Sequence, residues 1–314
     1  MKVLVTGGAG FIGSHVVEAY LSQGHDVSVV DDLSTGFRHN LKQNLRLYQV
    51  DIRSRQLQDV LCQEKPDIVS HQAARANVRE SFEEPLLYAD VNVLGSVNLL
   101  ECCKQSGVRK IIYASTGGAV YGEPQWLPVS EDHPVNPLDP YGASKHHVEH
   151  YLHLYNLNYG IRYTALRYPN VYGPRQNPQG EAGVVAIFTG QMMANGQPVI
   201  NGSGEQLRDF VHVSDVARAN VLSMDKGDNQ IINIGSGTGS SVNTIFSLLA
   251  ARTGFSKPPV RGPAKKGEVS QIFLNSDKAG ELLGWKPEIS LKDGLDSTVR
   301  FFESVSESKQ VAQL

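Results

Sequence analysis

Through the first 168 residues, short apolar runs rich in β-branched side chains alternate with longer stretches whose apolar positions recur every three or four residues. The short runs predict strands at 2–6, 26–30, 45–50, 68–71, 110–114 and 162–167. The longer periodicity predicts helices at 11–23, 54–62, 85–105 and 141–157. Alternation of this kind builds right-handed crossover units, so the expected fold is α/β, with a doubly wound parallel sheet covered on both faces. Such sheets bind ligands outside the carboxyl ends of their strands.

After Tyr168 the texture changes. Proline and glycine become frequent ("YPNVYGPRQNPQGEAG", "NGQPVINGSGEQ"), and helical patterns at 244–252 and 277–283 are interspersed with short apolar runs. Two domains are expected: 1–168, and a smaller mixed α/β lobe over 169–314 from which some segments return to the first. Past Phe302 the tail "ESVSESKQVAQL" has no apolar periodicity and is expected to fray.

Composition narrows the function. Lys and Arg total 29 against 32 Asp and Glu, a net charge of −3, so neither nucleic acid nor an anionic membrane is an expected partner. No apolar run reaches the length of a membrane span, and "MKVLVTGG" reads at once as a strand and a glycine turn. A soluble, cytoplasmic protein is expected. Cys62, Cys102 and Cys103 show neither metal-ligand nor disulfide spacing and read as reduced packing residues. His146, His150 and His153 share one helical stripe without a further acidic ligand, so no metal is expected.

The candidate chemistry starts at "TGGAGFIGSH", between the first strand and the first helix. Gly8, Gly10 and Gly13 satisfy G-x-G-x-x-G, and Gly7, Gly10 and Gly13 give the alternative GxxGxxG spacing. Glycines there let the backbone approach a pyrophosphate seated on the unpaired N–H groups of the helix, a Rossmann-type dinucleotide site. Asp31 closes the second predicted strand; an acid there hydrogen-bonds a ribose and repels a 2′-phosphate, which favours NAD. Asp51 follows the third strand, either as an adenine contact or as a helix cap ahead of Ser54.

In "PYGASKHHVEHY", Tyr141 and Lys145 lie four apart on one helix face. A free phenol, with a pKa of about 10, is a poor base at neutral pH; lowering it three units needs roughly 4 kcal/mol. A neighbouring ammonium and a positive nicotinamide ring supply stabilisation of that kind. The strand end "YASTGGAVYG" offers two hydroxyls, Ser115 and Thr116, and then two glycines.

These motifs, with "DIRS", "HQAAR", "DVNVLGSVNLLE", "LRYPNVYGPRQ", "GEQLRDFVHVSDVARA", "NIGSG" and "LGWKPEISLKDGL", resemble the extended short-chain dehydrogenase/reductase family. Within it they resemble the UDP-glucose (UDP-galactose) 4-epimerases. The resemblance implies an NAD-dependent 4-epimerisation in which Tyr141 is the base, Lys145 its partner, and Thr116, ahead of Ser115, the hydroxyl at the sugar 4-oxygen. It implies that Gly7, Gly10, Phe11, Ile12, Gly13, Asp31, Asp51, Ile52, Ala73, Ala74, Asn92, Ala114, Tyr141, Lys145 and Tyr168 hold the cofactor. Asn170, Val184, Arg208, Lys265 and Glu268 would hold the UDP-sugar, with Asp209 either orienting Arg208 or exposed as a solvated charge. Ile272 aligns with a residue whose size governs access of an N-acetyl group. Sugar 4,6-dehydratases and UDP-glucuronate decarboxylases of the family carry Thr-Asp-Glu or Thr-Ser-Glu where this chain has Gly117, Gly118 and Ala119. Carboxylate chemistry at C5 or C6 therefore lacks its groups, and an epimerase is favoured. Most such epimerases place the catalytic hydroxyl at the position of Gly117, a departure here. Alternative readings are a 4-epimerase of UDP-N-acetylhexosamine or UDP-uronic acid, the latter marked by Arg75 and Arg79, and a non-catalytic NAD-binding regulatory protein. A homodimer through the helices at 85–105 and 141–157 is expected by the same resemblance.

Overall fold

A computed structural model describes residues 1–178, 183–264 and 269–311. The first half runs β1 (Lys2–Thr6), α1 (Phe11–Ser22), β2 (Asp26–Val30), β3 (Arg46–Tyr48), α2 (Gln56–Glu64), β4 (Ile68–His71) and α3 (Val78–Glu83). Then α4 (Pro85–Tyr88) passes through a π-helical stretch, Ala89–Leu94, into α5 (Gly95–Ser106), followed by β5 (Lys110–Thr116), α6 (Pro140–Tyr159) and β6 (Arg162–Tyr168). The second half runs β7 (Asn170–Tyr172), α7 (Val184–Met193), β8 (Val199–Asn201), β9 (Leu207–His212), α8 (Val213–Leu222), β10 (Gln230–Asn233) and β11 (Gly239–Ser241). It ends with α9 (Val242–Thr253), β12 (Val260–Gly262), β13 (Gln271–Ile272), α10 (Asp277–Leu283) and α11 (Leu291–Val311).

Seven strands form one parallel sheet in the order β10-β6-β5-β4-β1-β2-β3. Its strands are buried on both faces, which is why they read as near-continuous apolar runs rather than alternating ones. One face packs on α1 and α8 through Val16, Tyr20, Ile112, Leu166 and Val216. The other packs on α2, α5 and α6 through Leu57, Leu99, Ile111, Tyr113 and Leu152. The seventh strand, β10, comes from beyond Tyr168: α8 carries the chain back along α1, and β10 pairs with β6 from Gln230↔Thr164 to Asn233↔Arg167. Ala279, Leu283 and Trp285, in and just after α10, bury in the same core as α1.

The remainder forms the smaller lobe. Strand β9 pairs with β7, β11 and β13, a separate ribbon joins β8 and β12, and α7, α9 and α11 close a core around Phe188, Phe210, Ile245 and Leu295.

Local chemistry sets the ends that matter. Helix α6 opens on Pro140, whose missing N–H costs nothing at that position, and Asp139 Oδ1 caps Gly142 N at 2.7 Å. Glycines in the left-handed region end α5 and α6, at Gly107 (φ +72°) and Gly160 (φ +71°). Two sequence expectations are corrected. Strand β5 extends to Thr116 because β6 continues opposite it to Tyr168, so both hydroxyls belong to the strand. The C-terminal tail does not fray past Phe302; α11 continues to Val311, since a helix anchored by buried Leu295 and Val299 propagates cheaply beyond its packed turns. The 22-residue helical run Pro85–Ser106 is long and apolar enough to cross a membrane by length and composition alone, yet it packs on α2 and α6.

Candidate active site

Two glycines at the turn from β1 into α1 admit no side chain. Gly7 takes φ +66° and donates to Val30 O at 2.8 Å; a Cβ on it would lie 2.6 Å from Ala73 N. A Cβ on Gly13 would lie 2.0 Å from Gly7 O, backbone against backbone. The first turn of α1 therefore folds tightly under β1. Its N-cap, Gly10, supplies no side-chain cap and no acid stands in that turn, which leaves its N–H groups and the positive end of the helix dipole for an anion.

A cleft of about 730 Å³ opens along this turn. Gly7, Gly10, Phe11, Ile12, Gly13, Asp31, Asp51, Ile52, Ala73 and Ala74 all stand on its wall. Asp31 is buried, and its two oxygens accept from Ala9 N and Leu33 N, both at 2.9 Å. Burial pushes its carboxyl up, and the two backbone N–H groups oppose that. Asp51 does not cap α2, which begins at Gln56 behind a side-chain-uncapped Arg55. Its carboxylate instead pairs with Arg53 (2.5 Å) and is held below its usual range by it.

Two further wall residues were not singled out from sequence. Gln72 Oε1 and Gln176 Oε1 are buried acceptors with no partner among the described residues. An uncapped helix start, a turn with no room for a side chain at Gly7 or Gly13 and a buried acid after β2 together fit a dinucleotide.

Asn92, Ala114, Tyr141, Lys145 and Tyr168 do not line this cleft; they lie at the sheet's carboxyl edge or beneath it. Asn92 sits in the π-helical stretch, an irregularity often found at functional sites. Its amide accepts from Arg75 N (2.8 Å) and donates to Arg75 O (2.9 Å) and Ser144 Oγ (2.8 Å), so it ties a cleft wall to α6. Ala114 is buried in the α1/α8 layer. Tyr168 points into that layer too, accepting from Asn220 Nδ2 at 2.8 Å, and its carbonyl accepts from Gly117 N at 2.7 Å.

Lys145 is fully buried. Its Nζ lies 4.4 Å over the Tyr113 ring, and burial pushes its ammonium down to about 7, opposed by the Glu149 carboxylate. Tyr141 is half-buried, edge-on to Tyr88 at 6.4 Å. Its neighbour Gly142 fixes where α6 starts: a Cβ there would lie 2.7 Å from Ala119 O, so the first turn of α6 rests on the loop leaving β5.

The two hydroxyls of β5 have opposite surroundings. Ser115 Oγ donates to Glu149 Oε1 at 2.6 Å. Glu149 also accepts from Arg167 Nε (2.9 Å) and Nη2 (2.7 Å) and from His146 Nδ1 (3.1 Å). Burial works against the Glu149 charge, but Arg167 and the other donors hold its carboxyl at about 2. Ser115 is thus committed to a buried ion pair. Thr116 Oγ1 makes no hydrogen bond among the described residues, and a Cβ on Gly118 would lie 3.9 Å from it and 3.6 Å from Asn170 Oδ1. Gly118 therefore keeps open the space that Thr116 and Asn170 share. Gly117 is closed instead: a Cβ there would lie 2.4 Å from Cδ1 of buried Leu274.

In the smaller lobe, Val184 opens α7, whose N-cap Gly183 provides no side-chain cap. Arg208 on β9 is half-buried, with Nη1 donating to Leu207 O at 2.9 Å. Asp209 neither orients Arg208 nor meets solvent. It is buried and accepts from Ser236 N and Oγ and from Leu274 N, because alternation along β9 turns it to the opposite face. Ile272 packs in an apolar cluster with Val120, Tyr121, Val129 and Leu274. Arg75 is bound to Glu80 at 2.6 Å, and Arg79 is exposed. Lys265 and Glu268 lie outside the described residues. His146 and His150 touch through their Nε2 atoms at 3.1 Å, and among the described residues no group of three or more His, Cys, Asp or Glu is disposed to hold a metal.

Comparison with known proteins agrees with this geometry. The model of the NAD dependent epimerase/dehydratase family matches residues 3–235. The UDP-glucose 4-epimerase of Mycolicibacterium smegmatis is 40% identical over 313 residues, covering 98% of this chain and 100% of the relative. The crystal structure of UDP-glucose 4-epimerase from Thermotoga maritima, solved with UDP-glucose, superposes with a TM-score of 0.96 at 47% identity, covering 98% of this chain and 100% of that one. The Thermus thermophilus UDP-glucose 4-epimerase, solved with NAD, gives 0.92 at 42% identity, with 96% and 99% covered. The chain belongs to the NAD dependent epimerase/dehydratase family.

Proposed function

We propose that the chain is a UDP-hexose 4-epimerase, interconverting UDP-galactose and UDP-glucose through a transient 4-keto sugar. The observation that carries this reading is a strand end with a hydroxyl at Thr116 but no carboxylate at Gly117, Gly118 or Ala119, beside a helix presenting Tyr141 and Lys145. The named relatives are UDP-glucose 4-epimerases, one of them solved with UDP-glucose, and this supports the same substrate class here.

Bound NAD supplies the acceptor, and then the donor, of a hydride at sugar C4. Tyr141, as phenolate, takes the proton from the 4-hydroxyl and returns it when the opposite face is reduced. Lys145 stabilises that phenolate; in a dry site its charge acts at low dielectric and so is worth more than in water. Thr116 bridges the 4-oxygen and Tyr141, and its unengaged hydroxyl supports the role. Ser115 is the weaker candidate because its proton is already given to Glu149. Asp31 and the glycine turn hold the dinucleotide. Asn170, Val184 and Arg208 face the nucleotide-sugar from the smaller lobe, with the substrate between a cofactor domain at 1–168 and that lobe.

We propose a homodimer, supported by exposed Leu86, Leu94, Leu154 and Leu157 on the adjacent helices around α4 and α6. Light scattering of the purified protein decides the oligomeric state, a monomer ending that assignment.

The test of function is a proton NMR time course with UDP-galactose and no added NAD. Relaxation of the anomeric signals toward UDP-glucose is expected, with a loss of orders of magnitude in Tyr141→Phe. No conversion even with NAD added would overturn the reading.

A further inference from the structure

Lys145 is buried, and its Nζ makes no hydrogen bond among the described residues. What the ammonium does meet is a ring: Nζ lies 4.4 Å from the ring centroid of Tyr113 on β5. The Tyr113 hydroxyl donates to Lys145 O at 3.3 Å, so one side chain touches both the charge and the backbone of the lysine. Strand alternation puts Tyr113 on the same face of β5 as Ser115, against α6. Ser115 donates there to Glu149, one helical turn beyond Lys145.

A buried ammonium is costly, and its partner decides whether it keeps its proton. A carboxylate in contact would hold the charge but would take up N–H groups as an acceptor. The face of an aromatic ring attracts the same charge through its quadrupole and presents no lone pair. Tyr113 suits that task. Burial, and then the Glu149 and Tyr141 charges, push its phenol well above the usual range, so it stays a neutral ring.

Other titratable groups face Lys145 too. Tyr141 and Glu149 stand one turn to either side of it on α6. Glu149 opposes the loss of the lysine's proton, and is itself engaged by Arg167 and His146. From the end of β4, the His71 ring lies 5.5 Å from that of Tyr113. Burial, helped by the Lys145 charge, pushes His71 down to about 3, so it adds no charge of its own.

We propose that Tyr113 is a positioning residue for Lys145: its ring seats the ammonium and its hydroxyl fixes the turn of α6 that carries it. Lys145 then meets the Tyr141 phenolate charged, with its N–H groups not engaged by the protein. This rests on the role given to Lys145 above and deepens it, because it names what keeps that lysine charged in a dry site.

The test separates the ring face from the space it fills. Tyr113→Phe keeps the ring; Tyr113→Leu removes it, and Tyr113→Met is a second ring-free variant should the leucine protein not fold. Urea denaturation of the NAD-stripped proteins is followed across the pH range in which Lys145 titrates. Stability rises with pH once folded Lys145 has lost a proton that the unfolded chain still holds. Loss of a desolvated cation–ring contact corresponds to about one pH unit. The rise is therefore expected to begin about one unit lower in Tyr113→Leu than in wild type and Tyr113→Phe. A side chain that only fills space would lower the whole curve and leave its onset in place. With UDP-galactose, kcat is expected to fall about tenfold in Tyr113→Leu with KM within about threefold, and Tyr113→Phe to recover most of that loss. An onset in the ring-free variants that coincides with that of Tyr113→Phe would overturn the assignment. Separated curves from a protein that converts no UDP-sugar would uphold the seat of Lys145 and overturn the epimerase reading instead.

Discussion

The assignment of the two strand hydroxyls makes a crossed prediction. Ser115→Ala removes a donor from a fully buried carboxylate that keeps its contacts with Arg167 and His146. Hydrogen bonds to charged groups contribute about 1.5–3 kcal/mol, so this variant is expected to lose about 2 kcal/mol of stability. Its turnover falls only as far as β5 shifts. Thr116→Val replaces a hydroxyl that has no partner among the described residues by a methyl group of similar size. With no protein hydrogen bond lost and the shape kept, the valine protein is expected to match the wild type in stability within about 0.5 kcal/mol. If Thr116 bridges the sugar 4-oxygen, its loss removes a positioned donor at the reacting centre, which lowers kcat by about 10²–10³. Urea denaturation and conversion of UDP-galactose on the same preparations give both axes. The reasoning is refuted if Ser115→Ala loses more than about a hundredfold in kcat while Thr116→Val stays within about threefold, since the hydroxyl spent on Glu149 would then be the one at the substrate.

Three further outcomes follow. Gly13→Ala forces a Cβ to within 2.0 Å of Gly7 O, and since both partners are backbone, a loss of about 3 kcal/mol in urea together with loss of NAD binding is expected. Glu149→Gln leaves the Arg167 guanidinium buried and uncompensated, with a cost of about 3–5 kcal/mol seen as a lower denaturation midpoint. Lys145 is pushed down to about 7 by burial, against about 10.4 in the unfolded chain, so between these values the unfolded chain holds a proton that the folded one lacks. Stability therefore rises with pH across that window. Comparing NAD-stripped wild type with Lys145→Met should show about 2 kcal/mol of this rise between pH 7 and pH 9, absent in the variant.

Features set by near neighbours in the chain were legible in the sequence. The glycine turn, Asp31 at the end of β2 and the Tyr141/Lys145 face each depend on a few adjacent residues, and each stands at the carboxyl edge of the sheet. Features set by distant partners were not. Nothing near Ser115 in the chain announces that Glu149 claims its proton, or that Arg167, on the next strand, claims Glu149. Asp209 had two local readings and took neither, because strand alternation and the return of Leu274 decided its surroundings. Asp51 looked equally able to cap a helix until Arg53 took its carboxylate. The tail lacked an apolar pattern past Phe302, yet helix propagation from a packed segment needs none. Gln176 ends the quoted motif "LRYPNVYGPRQ", yet its unpaired side-chain oxygen is visible only once its neighbours are in place.

The glycine pair after Thr116 gains its meaning from this tertiary view. In the family that the sequence resembles, the catalytic hydroxyl usually stands where this chain has Gly117. That position is closed here by the side chain of Leu274, whose Cδ1 would lie 2.4 Å from a Cβ on residue 117 and which is buried with Val120, Tyr121, Val129 and Ile272. A side chain at residue 117 would thus have to turn the Leu274 side chain inside that packed cluster. The next glycine has the opposite character, since Gly118 borders open space between Thr116 and Asn170. Gly117 makes room for the Leu274 side chain, and Gly118 leaves room beside the Thr116 hydroxyl and Asn170. On the proposed assignment the hydroxyl sits one residue earlier in this chain, at Thr116, where no hydrogen bond to the described residues engages it, while the Leu274 side chain fills the space at Gly117.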